Sequence, residues 1–276
     1  MGKASRWTII LGYPFLILFS LFNLVPIGYM IIGSFKTESE YARSPLSLPE
    51  SLQWSNFARA WEIANMDTYF VNSILVTFGA LLLTVLLGSL TAFFLARFQF
   101  KLRSAAYALF LIGMLVPIHA TLIPIFLIMK DLSLLNTHWA LILPYTAFHI
   151  SLTVFILEGF MRGLPKDLEE SAVMDGAGIF RIYWSIILPI TRPAMATVII
   201  LNFIYNWNEY LFALVLVSTD TIKTLPLGLA NFAGVETASM TLQMSALTIA
   251  LIPIIIFYLA LQKQLVTGMT AGAVKG

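Results

Sequence analysis

Asn202, Asn206 and Glu209 stand in a segment otherwise apolar enough to cross a membrane. Spacings of four and three put all three on one face of a helix. Polar groups at membrane depth are costly, so they face the protein interior or a water path. Two amides and a carboxylate placed there can trade hydrogen bonds with the hydroxyls of a passing solute. The same groups can also bond helix to helix, and both readings stay open. Asn208 points elsewhere on that helix. His119 and His149 lie apart in two other spans, and His138 lies in a loop. A proton relay needs chains of His or acidic groups, so these read as hydrogen-bonded packing residues. Glu158 has Arg162 four residues on, the spacing of a helical ion pair.

Residues 162–193 offer docking rather than bond-making. They read Arg-Gly-Leu-Pro-Lys-Asp-Leu-Glu-Glu-Ser-Ala-Val-Met-Asp-Gly-Ala-Gly, then Ile-Phe-Arg-Ile-Tyr-Trp-Ser-Ile-Ile-Leu-Pro-Ile-Thr-Arg-Pro. The first half is too charged to cross a bilayer. Pro165 suits the first position of a helix, where its missing N–H costs nothing. Asp167, Glu169 and Glu170 crowd the positive end of that helix dipole, and Gly176 and Gly178 supply a stop. The expected helix is about ten residues, roughly 15 Å long. Leu168, Ala172 and Asp175 share one face, with Ser171 beside them. Such a helix fits a partner's groove, or lies solvated on the membrane surface.

Bond-making chemistry finds little support. There is no cysteine, which excludes disulfides, thiolate catalysis and thiolate-bound metals. No His-Glu-x-x-His motif or carboxylate pair within a span supports a membrane enzyme. No Gly-x-x-x-x-Gly-Lys-Ser/Thr loop exists, so this chain binds no ATP by that device. Gly176-Ala177-Gly178 is not a dinucleotide fingerprint, because Arg181 stands where the third glycine belongs.

The elements that must position these residues are membrane helices. Charged residues make up 11% of the 276 residues, against about 25% in soluble domains. A net charge of +2 gives no case for nucleic acid. A span needs about 20 apolar residues. Six stretches qualify, at about 9–33, 70–96, 104–129, 139–161, 192–217 and 240–262. The first is too long for a secretory signal core and reads as a retained span. Backbone in lipid must satisfy itself, so all six are expected to be helical. Pro14, Pro26, Pro117, Pro124, Pro144 and Pro253 are tolerated there because neighbouring helices re-satisfy the freed carbonyls. Ala80, Thr84, Gly88, Ala92 and Ala96 form a seam of small residues, read as a close helix contact or a sliding surface. One side of the membrane would hold the N-terminus, 97–103, the loop 162–191 and the tail 263–276, with 11 Lys and Arg against 5 on the other. The positive-inside rule therefore puts both termini in the cytoplasm. The outer loop 34–69, with Trp54 and Trp61 and an acidic excess, reads as a folded or surface-lying segment.

The run Glu170-Ser171-Ala172-Val173-Met174-Asp175-Gly176-Ala177, with Ile186-x-Leu188-Pro189 downstream, resembles the EAA loop of ABC importer permeases. The family pattern is Glu-Ala-Ala, three residues, Gly, nine residues, Ile-x-Leu-Pro. The departure is Ser171, similar in size to the alanine it replaces. Trp207-Asn208-Glu209-Tyr210-Leu211 and the ending 262–276 also resemble carbohydrate-uptake permeases, the closest type being the shorter six-helix subunit of maltose-type importers. That resemblance implies an all-α polytopic chain of the type I ABC importer permease fold, a single permease domain over 1–276. It implies a coupling helix between spans four and five, with Glu169, Glu170, Ser171, Ala172, Asp175, Gly176 and Ala177 engaging an ATPase. It also implies a second homologous permease, a dimer of cytoplasmic ATPases carrying ATP and Mg, and an extracytoplasmic sugar-binding protein, in a prokaryotic inner membrane. In that family substrate is often held mainly by the other permease, and the tail can reach toward the ATPase interface. The competing class is an ion-coupled carrier working without an ATPase. It calls for intramembrane ionisable partners and repeat symmetry, yet Glu209 is the only acidic residue deep in a span. No Lys or Arg lies deep in a span either, which favours a neutral sugar.

Overall fold

The computed structural model describes residues 6–232 and 239–273, with side chains described for 12–230, 232 and 239–263. The ending from Lys263 to Gly276, singled out in the sequence, lies almost wholly outside the described side chains. Every regular element among the described residues is helical. Among the described residues four helices are long and apolar enough to span a membrane: α1 (Arg6–Ser34), α4 (Met66–Arg97), α7 (Trp139–Arg162) and α14 (Met240–Ala273). Two further segments qualify as bent pairs, which would bring the spans to six.

The bends fall at definite residues. α5 (Arg103–Leu115) gives way at Val116-Pro117 to a short 3₁₀ turn, Ile118–Thr121, and α6 (Leu122–Asp131). The two halves meet at 94°, because a proline pushes its predecessor to an extended conformation, which Val116 adopts. α9 (Ile179–Ile182), a π-helical turn (Tyr183–Ile187) and α10 (Leu188–Ile190) form one rod, bent by 77° from α11 (Arg192–Asn208). The expected span 192–217 is therefore not one helix. α11 ends at Asn208, Glu209 is extended, and a six-residue α12 (Leu211–Leu216) follows.

Two compact units make up the chain. The smaller comprises the described parts of Met1–Asp67 and Gly228–Ile252. It contains α1, α2 (Glu38–Arg43), α3 (Ser55–Ile63) and the start of α14. Its loop after α1 is folded around Lys36, which is fully buried. The ammonium donates to the Ser44 and Pro45 carbonyls at 2.7 and 3.1 Å and to Ser47 Oγ at 3.1 Å, and these bonds offset its desolvation. Asn56 donates to the Ser34 and Lys36 carbonyls, closing the loop onto the end of α1. Between Tyr13 and Val25 the side chains of α1 are exposed.

The larger unit comprises the described parts of Thr68–Leu227 and Pro253–Gly276. Here the small-residue seam is a packing device. Ala80, Thr84 and Ala92 are fully buried. A Cβ on Gly88 would come within 2.6 Å of Thr153 Cγ2 on α7, so glycine is what allows the two helices to approach this closely. One apolar cluster joins α4, α6, α7 and α12. A second joins α4, α7, the rod 179–190 and α11. His138 bonds Asn72 Oδ1 at 2.8 Å, and Asn72 donates to the carbonyls of Thr221 and Lys223, which ties down the loop after α12.

Candidate functional sites: a docking helix and a cavity at two helix breaks

The docking segment folds as α8 (Asp167–Met174), eight residues and roughly 12 Å. It starts two residues beyond Pro165, later than the proline alone implied. Its end follows glycine chemistry. Gly176 sits at φ +77°, its N–H reaches the Val173 carbonyl at 3.0 Å, and Ala177 N–H reaches Ala172 O at 2.9 Å. This is a Schellman cap, which calls for a left-handed residue at that position.

The faces of α8 differ sharply. Ala172 is buried and packs into this chain's own core with Ala92, Met161, Ile182 and Tyr183. Glu169 turns inward onto Arg97 at the end of α4, at 2.5 Å. Arg97 is 3% exposed and also donates to the Leu164 carbonyl at 3.2 Å. Burial pushes the Glu169 carboxyl up, with Arg97 and Lys166 pulling the other way. Ser89 Oγ and Tyr183 OH lie 2.7 Å apart, clamping the rod 179–190 to α4. Glu158, 1% exposed, pairs with Arg162 as its spacing implied, and Arg103 approaches it at 3.7 Å. The outward side carries Glu170, Ser171, Asp175 and the exposed apolar residues Leu168, Val173 and Met174. Ser171 spends its hydroxyl on the Asp167 carbonyl at 2.7 Å. Anchored on one side and apolar in water on the other, α8 has the form of a docking surface.

The polar face of α11 divides in two. Asn202 is buried and donates to Thr153 Oγ1 on α7 at 2.9 Å, a helix-to-helix bond. Asn206 is also buried, near His149. Neither is among the residues that line the cavity beside Glu209. Glu209 itself lines it, because the chain breaks there. Its carboxylate accepts from Phe212 N–H at 2.8 Å and Ala213 N–H at 3.2 Å, capping α12, and from the buried Tyr145 hydroxyl. Negative charge at a helix N-terminus is favourable.

Around this break lies a cavity of about 420 Å³. Its polar lining comes from His119 at the break between α5 and α6, Tyr145 and His149 on α7, and Tyr205, Asn208, Glu209 and Tyr210. His149 and Tyr205 stack with centroids 5.4 Å apart. His119, Tyr205 and Asn208 were not legible as one site, because the 94° bend that brings His119 in is a tertiary feature.

Residues 84–271 match the family described as the binding-protein-dependent transport system inner membrane component. A putative ABC transporter permease protein, ORF2, of Caldicellulosiruptor sp. (strain Rt8B.4) is 40% identical over 99% of this chain and 98% of its own. The diacetylchitobiose uptake system permease protein NgcG of Streptomyces coelicolor is 35% identical over 98% of this chain and 90% of its own. The melibiose/raffinose/stachyose import permease protein MelC of Bacillus subtilis is 34% identical over 92% of each. The crystal structure of a bacterial ABC transporter that imports the acidic polysaccharide alginate superposes with a TM-score of 0.79 at 25% identity, covering 95% of this chain and 99% of that one. The fold and these likenesses converge, and the chain belongs to the family of inner-membrane permeases of binding-protein-dependent ABC transporters.

Proposed function

We propose that this chain is one of two permease subunits of a sugar importer, moving a neutral oligosaccharide inward by alternating access. Its architecture is six spans of the type I importer fold, the third bent and the fifth broken, in one permease domain with both termini cytoplasmic. α8, between spans four and five, is the coupling helix. The observation that carries this reading is the two-sidedness of α8: Ala172 and Glu169 bind it to its own chain, while Leu168, Val173 and Met174 face water. Closure of a cytoplasmic ATPase dimer, which holds the ATP and Mg, pushes this helix and the spans fixed to it. A second, homologous permease accounts for the exposed apolar flank of α1 together with lipid. An extracytoplasmic binding protein delivers the sugar. Relatives named for diacetylchitobiose and for raffinose-type sugars support a neutral cargo, as does a cavity lining with no Lys or Arg.

Gly176 supplies the test. A Cβ there meets nothing within 4 Å, so a substitution acts through the backbone alone. Gly176→Val forces a β-branched residue to φ +77°, costing at least about 1–2 kcal/mol. It is expected to lower ATP-driven uptake of raffinose or diacetylchitobiose about tenfold in the assembled complex, with Gly176→Asn much milder. Unchanged uptake and unchanged stimulated ATPase activity in Gly176→Val would refute the coupling role.

A further inference from the structure

The importer reading leaves open whether this chain touches cargo, and the cavity bears on that. Irregular backbone at membrane depth is tolerated only where it is buried in protein or lines a water-filled cavity. Two such breaks, Val116-Pro117 and Glu209-Tyr210, border one cavity. Discontinuous spans of this kind build solute sites in transporters. At about 420 Å³ it falls within the roughly 300–1,000 Å³ range of small-molecule sites.

Its polar groups divide by availability. Glu209 is engaged by three donors and serves as scaffold. Asn208 uses one N–H on the Ile204 carbonyl at 2.8 Å, leaving its own carbonyl and a second N–H. The His149 ring is buried against Asn206 and stacked on Tyr205, so it shapes the wall and positions Tyr205. The Tyr205 hydroxyl and the exposed His119 ring add groups that donate and accept. A lipid chain would leave all of these unsatisfied, at a cost per group of order 1–3 kcal/mol. A charged cargo would find no Lys or Arg in the lining.

We propose that this cavity is a sugar-contact site carried by this chain itself, taking neutral glycosyl units whose hydroxyls meet Asn208, Tyr205 and His119. The proposal rests on the importer reading and deepens it. The test uses the complete importer with its binding protein in proteoliposomes, and radiolabelled raffinose and diacetylchitobiose as probes. Tyr205→Phe removes one hydroxyl and nothing else; Asn208→Leu removes the amide. Each is expected to raise the KM for uptake about tenfold, the loss of a hydrogen bond, with a smaller change in maximal rate. A lower yield of complex at unchanged KM would mark a packing role and overturn the site. Wild-type KM values in both variants would also overturn it, leaving the importer reading intact. A wild-type complex that hydrolyses ATP yet moves neither probe would contradict the importer reading itself, and the site with it.

Discussion

Glu169→Ala is expected to loosen the docking helix by about 3 kcal/mol, and Arg97→Met by much less. The asymmetry follows from what each change leaves behind. Removing the glutamate strands Arg97, which is 3% exposed and cannot shed its proton. Uncompensated buried charge of this kind costs about 3–5 kcal/mol. Removing the arginine strands Glu169, which is 18% exposed and already has its carboxyl pushed up by burial. It can turn to water or take a proton. The double variant Arg97→Met/Glu169→Leu, with no charge left to bury, should recover most of the loss. Hydrogen exchange of the amides from 168 to 177 in the assembled complex measures this directly. Glu169→Ala should lower protection roughly a hundredfold. Wild-type protection in Glu169→Ala would show that the ion pair does not hold α8. If α8 is the coupling helix proposed above, the functional consequence is slippage, in which ATP is consumed with less sugar moved.

Glu209→Ala should have a comparable effect at the other end of the mechanism. It leaves the buried Tyr145 hydroxyl and the Phe212 and Ala213 N–H groups without an acceptor. Loss of the cap, which covers both N–H groups, costs about 1 kcal/mol, and the buried Tyr145 hydroxyl left unsatisfied adds about 1–3 kcal/mol. A total near 3 kcal/mol should lower the thermal midpoint of the complex and collapse transport. Glu209→Gln keeps one acceptor oxygen at nearly the same volume and should recover part of both. If Glu209→Ala matched wild type in midpoint and uptake, the carboxylate would not be what fixes the break in span five.

Much of this was legible in the sequence, for physical reasons that differ by region. The docking segment stood out because a charged run cannot hide among apolar spans, and Gly176 announced its left-handed cap. Pro117 reads in the sequence only as a tolerated kink within the span 104–129, whereas the chain turns by 94° there. Glu158 and Arg162 declared their pairing through helical spacing. The break at Glu209 was hidden, since no proline or glycine interrupts Asn208-Glu209-Tyr210. Periodicity drawn through a continuous helix groups Glu209 with Asn202 and Asn206, whereas the break turns the Glu209 carboxylate onto the first N–H groups of α12. Glu169 was grouped with outward docking residues because its partner Arg97 lies far away in the sequence, and only the tertiary fold turns it inward. Ala172 read as a small residue for a partner's groove, whereas its smallness lets α8 sit against its own core.

The most direct measurement uses the absence of cysteine from this chain. Ser171→Cys places a single thiol on the outward side of α8. In the assembled complex, a short thiol-reactive cross-linker is predicted to join that position to an ATPase subunit, in a yield that changes when ATP is bound. Labelling of that thiol from outside the cell, or cross-links to lipid headgroups alone, would contradict the account.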